Sequence, residues 1–334
     1  MDTFTACVVA SCIVFISVVL TLYRFFTRFS NSDYAARVSS IHIFPVKSVG
    51  GFTADEWYVT EYGLAKDRRW MVVKEGKQGF RFYTQRECPK LALISAKLSK
   101  DLSQLILYSE NHPDITLRDD DQVREGDATR KVEIWGKMCN SVDCGDQVAD
   151  WISNIIGTNV RLVRVPDASH VREGGEEYLK PFLDLIPKPV NNTGFADGYP
   201  LLLASMTSTR DVRLRAKNDL DVVRFRPNIV VEGAKRVYEE DEWHTLRIGE
   251  QNMIFYNVKP CARCTIPNVN PNTGKKDLDL RSVISQYRHD ELLENPIFAI
   301  NLVHSTSCLG KKLKVGDKVY VEKTQPVRSF VKPK

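Results

Sequence analysis

NMIFYNVKPCARCTIPNVNPNTG, Asn252–Gly274, is the stretch that decides how this chain reads. Its apolar opening, Asn252–Val258, reads as a strand. Two thiols follow, Cys261 and Cys264, in a loop braced by Pro260 and Pro267, with Arg263 beside the second. A zinc site would need four Cys or His ligands, yet Cys139 and Cys144 are five apart and the six histidines are scattered, so a second ligand pair is missing. A thioredoxin-like dithiol sits at a helix N-terminus, and the prolines and asparagines after Cys264 cannot continue a helix. A single thiolate in a rigid loop beside an arginine suits a soft metal brought in by a cofactor, or a nucleophile. Two inert, buried thiols fit the pattern as well.

On either side of this stretch the second half mixes elements. A helix is expected from about Ser208 to Lys217, with strands at Asp221–Phe225, Ile229–Glu232, Phe298–Val303 and Lys318–Glu322, and a helix placing Leu280, Val283, Ile284 and Tyr287 on one face. The first half is a series of short apolar-alternating runs: Val38–Val46, Trp57–Thr60, Trp70–Val73, Phe80–Thr84, Leu91–Leu98, Leu105–Tyr108, Ile115–Leu117, Val132–Trp135 and Val160–Val165. Within it Val148, Trp151, Ile152, Ile155 and Ile156 recur at helical spacing, with Asp146 as cap and Gly157 just past the end. Residues 166–192, rich in Pro, Gly, Glu and Asn, read as a connection, with a boundary near 170–180. The expected class is α+β and β-rich, in two halves over residues 36–165 and 175–325.

Thr5–Tyr23 carries no charge over 19 residues, which as a helix spans about 29 Å and can cross a bilayer. No Lys or Arg precedes it, against the pattern of a secretory signal, so residues 1–30 read as an uncleaved membrane anchor. Arg24, Arg28, Arg37 and Lys47 follow the span and place the bulk of the chain in the cytosol. The 334 residues carry a formal charge of +5, with 43% hydrophobic and 27% charged residues, which excludes disordered, collagenous and coiled-coil classes and leaves no nucleic-acid footprint. Eight cysteines are too dilute for a disulfide scaffold and point to a reducing compartment. No 20–50-residue repeat and no G-x-G-x-x-G nicotinamide fingerprint is visible.

Three basic motifs fall at turn-like places: Pro45-Val46-Lys47-Ser48, Asp67-Arg68-Arg69-Trp70 and Phe225-Arg226-Pro227-Asn228. Arginine forks, a lysine charge and serine hydroxyls at converging strand ends can hold a phosphate and a planar heterocycle. Asp197, in Phe195-Ala-Asp-Gly-Tyr-Pro200, reads as a turn residue.

Taken together, Ile43-Phe-Pro-Val-Lys-Ser48, Asp67-Arg-Arg-Trp70, Thr84-Gln-Arg86, Asp143-Cys-Gly-Asp146, Phe225-Arg-Pro-Asn228, Cys261-Ala-Arg-Cys264, Asn270-Pro-Asn-Thr-Gly274 and Val315-Gly-Asp317 resemble the MOSC-domain family, over nearly the whole chain. The resemblance implies an N-terminal MOSC β-rich region, a C-terminal MOSC β-barrel domain and a molybdenum cofactor, Mo-molybdopterin. It implies Cys264 as the metal-ligating catalytic residue, with Lys47, Ser48, Arg68, Arg226, Arg263 and Asn301 on cofactor-binding positions. Asn301 falls where some members have tyrosine, and Ala262 where some have serine. The implied reaction is two-electron reduction of N-hydroxylated compounds to amines or amidines and water, with electrons from cytochrome b5 and its NADH-dependent reductase. The implied location is the mitochondrial outer membrane or the endoplasmic reticulum. The other activity within the resemblance is a non-catalytic carrier of the cofactor or its sulfur.

Overall fold

The computed structural model describes residues 33–77, 79–119, 123–166, 189–190, 192–326 and 330–331. The anchor expected at residues 1–30, the boundary expected near 170–180 and most of the 166–192 connection lie outside them. Among the described residues no helix is long and apolar enough to cross a membrane. The principal strands are β1 (Asp33–Ile43), β2 (Trp70–Gly76), β3 (Gly79–Phe82), β4 (Thr129–Ile134), β5 (Lys137–Asp143), β6 (Arg161–Arg164), β7 (Leu201–Ser205), β8 (Ile229–Glu232), β9 (Trp243–Ile248), β10 (Met253–Ala262), β11 (Asn295–Ser305) and β12 (Lys318–Thr324). Short additional strands lie between them, and helices are few, as the β-rich reading requires.

These strands close into two rings. β2 to β6 pair in chain order, and β6 returns to β2, making a five-strand barrel. The second runs β7, β8, β1, β12, β9, β10, β11 and back to β7, a closed seven-strand barrel. Closure leaves no strand edge within either ring unpaired. Met71, Val73, Val132, Ile134 and Val163 belong to the core of the smaller ring, and Val38, Ile229, Leu246, Phe255, Ile300 and Val319 to that of the larger. Burial of each such side chain contributes about 1.5–3 kcal/mol.

The helix expected near Val148 is α1 (Asp146–Ile156), which buries Val148, Ile152 and Ile156. Gly157 ends it in the left-handed conformation, φ 74°. Gly145, rather than Asp146, holds the cap position, and Asp146 instead pairs with Arg161 at 2.8 Å. Next come α2 (Met206–Ala216), capped by the Ser205 hydroxyl, and α3 (Leu280–Ser285), capped by Asp279. Asp221–Phe225 is no strand. The Asp221 carboxylate accepts the Val223 N–H at 2.9 Å and winds Val222–Phe225 into a 3-10 turn.

β1 precedes the five-strand barrel in sequence yet pairs with β8 and β12 of the seven-strand one. The chain therefore crosses between barrels at Phe44-Pro45, after which Val46–Lys47 pairs parallel with β2. It returns at once, since Phe52–Ala54 pairs with β1 and Val59 and Leu64 are buried in the larger core. It leaves again for β2, and crosses back finally between Phe195, buried in the smaller core, and Leu201, buried in the larger. The first and last crossings converge: Lys47 Nζ donates to Phe195 O at 2.8 Å.

Candidate functional site

Ser48, Arg68 and Arg226 all take left-handed backbone, with φ of 62°, 50° and 56°. For non-glycine residues that conformation costs about 1–2 kcal/mol each, and such strain collects where ligands are held. All three lie at the barrel junction. The Phe44 ring has the Arg68 guanidinium 4.6 Å from its centroid and that of Arg226 at 4.2 Å, so one aromatic side chain positions two cations. Asp67 fixes the turn by accepting the Phe44 N–H at 2.7 Å and pairing with Arg68. Arg68 also donates to Arg226 O at 3.0 Å, and Arg226 to Val49 O at 2.8 Å. Gly194 is required here: a Cβ would lie 2.7 Å from Arg68 O, where Phe195 N–H donates at 2.7 Å.

Asp197, read from sequence as a turn residue, is a charge hub. Its Oδ1 accepts from Lys47 Nζ at 2.5 Å and from the Trp135 indole N–H at 3.0 Å, while Arg86 stands 3.8 Å from Oδ2. Desolvation raises its pKa, and Lys47, Arg86 and Trp135 more than offset this, holding the carboxyl well below the usual range. Arg86 also interacts electrostatically with Cys264. Burial opposes its charge, but Cys264 and Asp197 outweigh burial and push the guanidinium pKa up. Gln85 donates to Ser48 O at 3.0 Å. Sequence reasoning gave no role to Arg86, Gln85 or Trp135, although Thr84-Gln-Arg86 was among the motifs singled out.

The cysteine segment is more regular than its prolines suggest, since β10 runs through Cys261 to Ala262. Its register against β11 slips between Asn257 and Lys259 and again between Pro260 and Ala262, bulges of the kind that re-aim side chains beside active sites. The two thiols differ. Burial and the neighbouring Cys264 push the Cys261 pKa up, against the pull of Arg263, whose Nη1 donates to Cys261 Sγ at 3.0 Å. Cys264 is half-buried and receives the Ile266 N–H at 3.5 Å. Asn301 stands on β11 opposite Lys259, its amide 3.4 Å from Pro260 O, beside the cysteine strand but outside the cation set.

Arg226 and Arg263 have no carboxylate partner among the described residues. Arg226 hydrogen-bonds only to backbone carbonyls, and Arg263 to Cys261 Sγ and Phe225 O, with its buried Nε unpartnered. Burial and the charge of Arg68 lower Arg226 to about 9, still protonated at neutral pH. Cations in this state are completed by an anion. No group of three or more His, Cys, Asp or Glu residues is placed to hold a metal ion by itself among the described residues.

The chain matches the MOSC N-terminal beta barrel domain over residues 35–159 and the MOSC domain over 191–320. It is 30% identical to mitochondrial amidoxime reducing component 2 of Bos taurus, covering 85% of this chain and 82% of that protein, and 29% identical to the human amidoxime-reducing component 1 with the same coverage. A molybdenum cofactor sulfurase of Oryza sativa subsp. japonica is 29% identical over 85% of this chain, which spans 35% of that longer protein. With both regions matched in order, and a relative at this identity over most of its own length, the chain belongs to the MOSC-domain family.

Proposed function

We propose that this protein is a molybdenum-cofactor-dependent reductase that converts amidoximes and N-hydroxyamines to amidines and amines. The observation that carries the proposal is the pair of arginines without carboxylate partners, Arg226 and Arg263, on the segments that flank the Cys264 thiol. Lys47, Ser48, Arg68, Arg226 and Arg263 would hold the phosphate and pterin of Mo-molybdopterin, Asn301 would border it, and Cys264 would ligate the metal. When bound, the cofactor supplies the two-electron chemistry that removes the hydroxyl oxygen as water. The chain's own part is positional and electrostatic. Arg86 places a positive charge toward Cys264, and Asp197, held anionic, keeps the Lys47 ammonium in place.

With no dinucleotide fingerprint in the sequence, reducing power would come from cytochrome b5 and its NADH-dependent reductase. The uncharged Thr5–Tyr23 segment and the mitochondrial relatives support tethering to the mitochondrial outer membrane, facing the cytosol.

Elemental analysis of the full-length protein, expressed in cells that make the cofactor and compared with Cys264→Ser, tests this. Near-stoichiometric molybdenum in the parent, with benzamidoxime reduction abolished by Cys264→Ser, is the expected result. Zinc or no metal in the parent would sink it. The sulfurase relatives favour a second reading, a cofactor or sulfur carrier, whose signature is bound molybdenum with no turnover by the reduced cytochrome b5 system.

A further inference from the structure

We propose that Trp135 is the specificity-determining lip of this site, binding the flat apolar body of an aromatic amidine or N-hydroxyamidine. The reaction assigned to that ligand rests on the reductase reading, whereas the binding does not. Trp135 and Gly136 form the two-residue turn between β4 and β5, with φ of 52° and 76°. Such turns take asparagine, aspartate or glycine for their left-handed backbone, and a tryptophan there is strained. The indole is also 53% exposed, so core packing does not account for it, and Met138 on the same hairpin is 54% exposed. Strain and an exposed apolar ring in one residue are not what folding alone selects.

The ring is nevertheless held in place. Its N–H donates to Asp197 Oδ1 at 3.0 Å, the Arg86 guanidinium lies 5.0 Å from its centroid, and the Phe82 ring is at 4.9 Å. Arg86 is also the residue that interacts electrostatically with Cys264. Asp197 joins the indole to Lys47, and Arg86 lies against the indole while interacting with Cys264, so the open part of the ring borders the candidate site. A pre-oriented indole favours flat π-systems and cations over aliphatic groups. The thiol comes from the segment after β10 of the seven-strand barrel and the lip from the five-strand one, so reaction and selectivity are divided between the barrels.

Calorimetric titration of the full-length, molybdenum-loaded protein with benzamidine and acetamidine, which share a cationic head and differ in the ring, tests the proposal. In Trp135→Ala the benzamidine Kd should rise about tenfold and the acetamidine Kd stay within about twofold, both measured per molybdenum-loaded site. Trp135→Phe, which keeps a ring, should stay within about threefold of the parent. For benzamidoxime, KM should rise with Trp135→Ala while kcat holds. An unchanged benzamidine Kd in Trp135→Ala, or equal weakening of both amidines, overturns the lip. A parent that binds benzamidine through Trp135 yet reduces no benzamidoxime upholds the lip and breaks the reductase reading alone.

Discussion

Arg224 and Arg226 stand two residues apart in sequence, and the chain treats them in opposite ways. Arg224 is buried and meets the Asp277 carboxylate with both guanidinium nitrogens, at 2.7 and 2.9 Å. Arg226 turns to backbone carbonyls near Lys47 and meets no carboxylate. The same contrast separates two regions. Around α2 and α3, Arg288 pairs with Asp241 at 2.5 Å beneath the Tyr238 ring, and Arg215 pairs with Asp211 at 2.7 Å. Around Cys264, Arg226 and Arg263 are left for something outside the chain to neutralise. A buried charge can be neutralised by a partner, by a proton or by a ligand, and arginine stays protonated, so it has only the first and third.

The largest effect belongs to the region that supplies its own partners. Arg288→Met removes the guanidinium that meets the buried Asp241, whose side chain is 7% exposed, and should cost about 3–5 kcal/mol in a urea unfolding experiment. A loss below about 1 kcal/mol would mean that this pair is no more structural than the cations at Cys264.

That distinction was only partly legible in the sequence. Local features were readable: the period of Val148, Ile152 and Ile156 and the Gly157 stop depend on neighbours within one helix. β7 was not, because Leu201 and Leu203 face one core and Leu202 and Ala204 another, which erases the alternation that marks a half-buried strand. Asp221–Phe225 misled because a side-chain cap beat β propensity. Of the site, Cys264, Arg263 and the basic motifs were visible as local patterns, and their cofactor roles came from family resemblance. Asp197 was hidden, since it meets Lys47 across 150 residues and Trp135 across 62, distances that only barrel closure collapses.

The proton, as the second route to neutrality, is the one open to Glu240 below neutral pH. It is fully buried, accepts the Ser208 hydroxyl at 2.8 Å, and is raised from 4.5 to about 7 by burial first and the adjacent Asp241 second. A carboxyl protonated more readily in the folded state stabilises it fully below the unfolded pKa. That contribution fades as pH rises from about 4.5 through about 7. Glu240→Gln should remove a decline of up to about 3 kcal/mol, read as the difference between parent and variant unfolding curves at pH 5 and pH 8. Parallel curves would show that Glu240 is ionised in the fold and that Arg288 serves two carboxylates.

The smallest stability effect is expected where the charge awaits a ligand. In protein from cells unable to make the cofactor, Arg226→Met removes a cation whose hydrogen bonds go only to carbonyls and puts an apolar side chain against the Phe44 ring. Unfolding stability should therefore stay within about 1 kcal/mol of the parent or rise. In cofactor-competent cells the same variant should retain several-fold less molybdenum. Inorganic phosphate supplies the anion without the pterin, so the cofactor-free parent should gain about 1.4 kcal/mol at ten times its Kd, seen as a rise in Tm. Arg226→Met should gain less, and Arg224→Met, whose guanidinium is already committed to Asp277, should respond to phosphate as the parent does while starting from a lower Tm. If Arg226→Met instead loses as much stability as Arg288→Met and the parent ignores phosphate, then Arg226 is a structural residue like Arg224. The difference between the two regions would then lie in packing and not in what they leave open for a ligand.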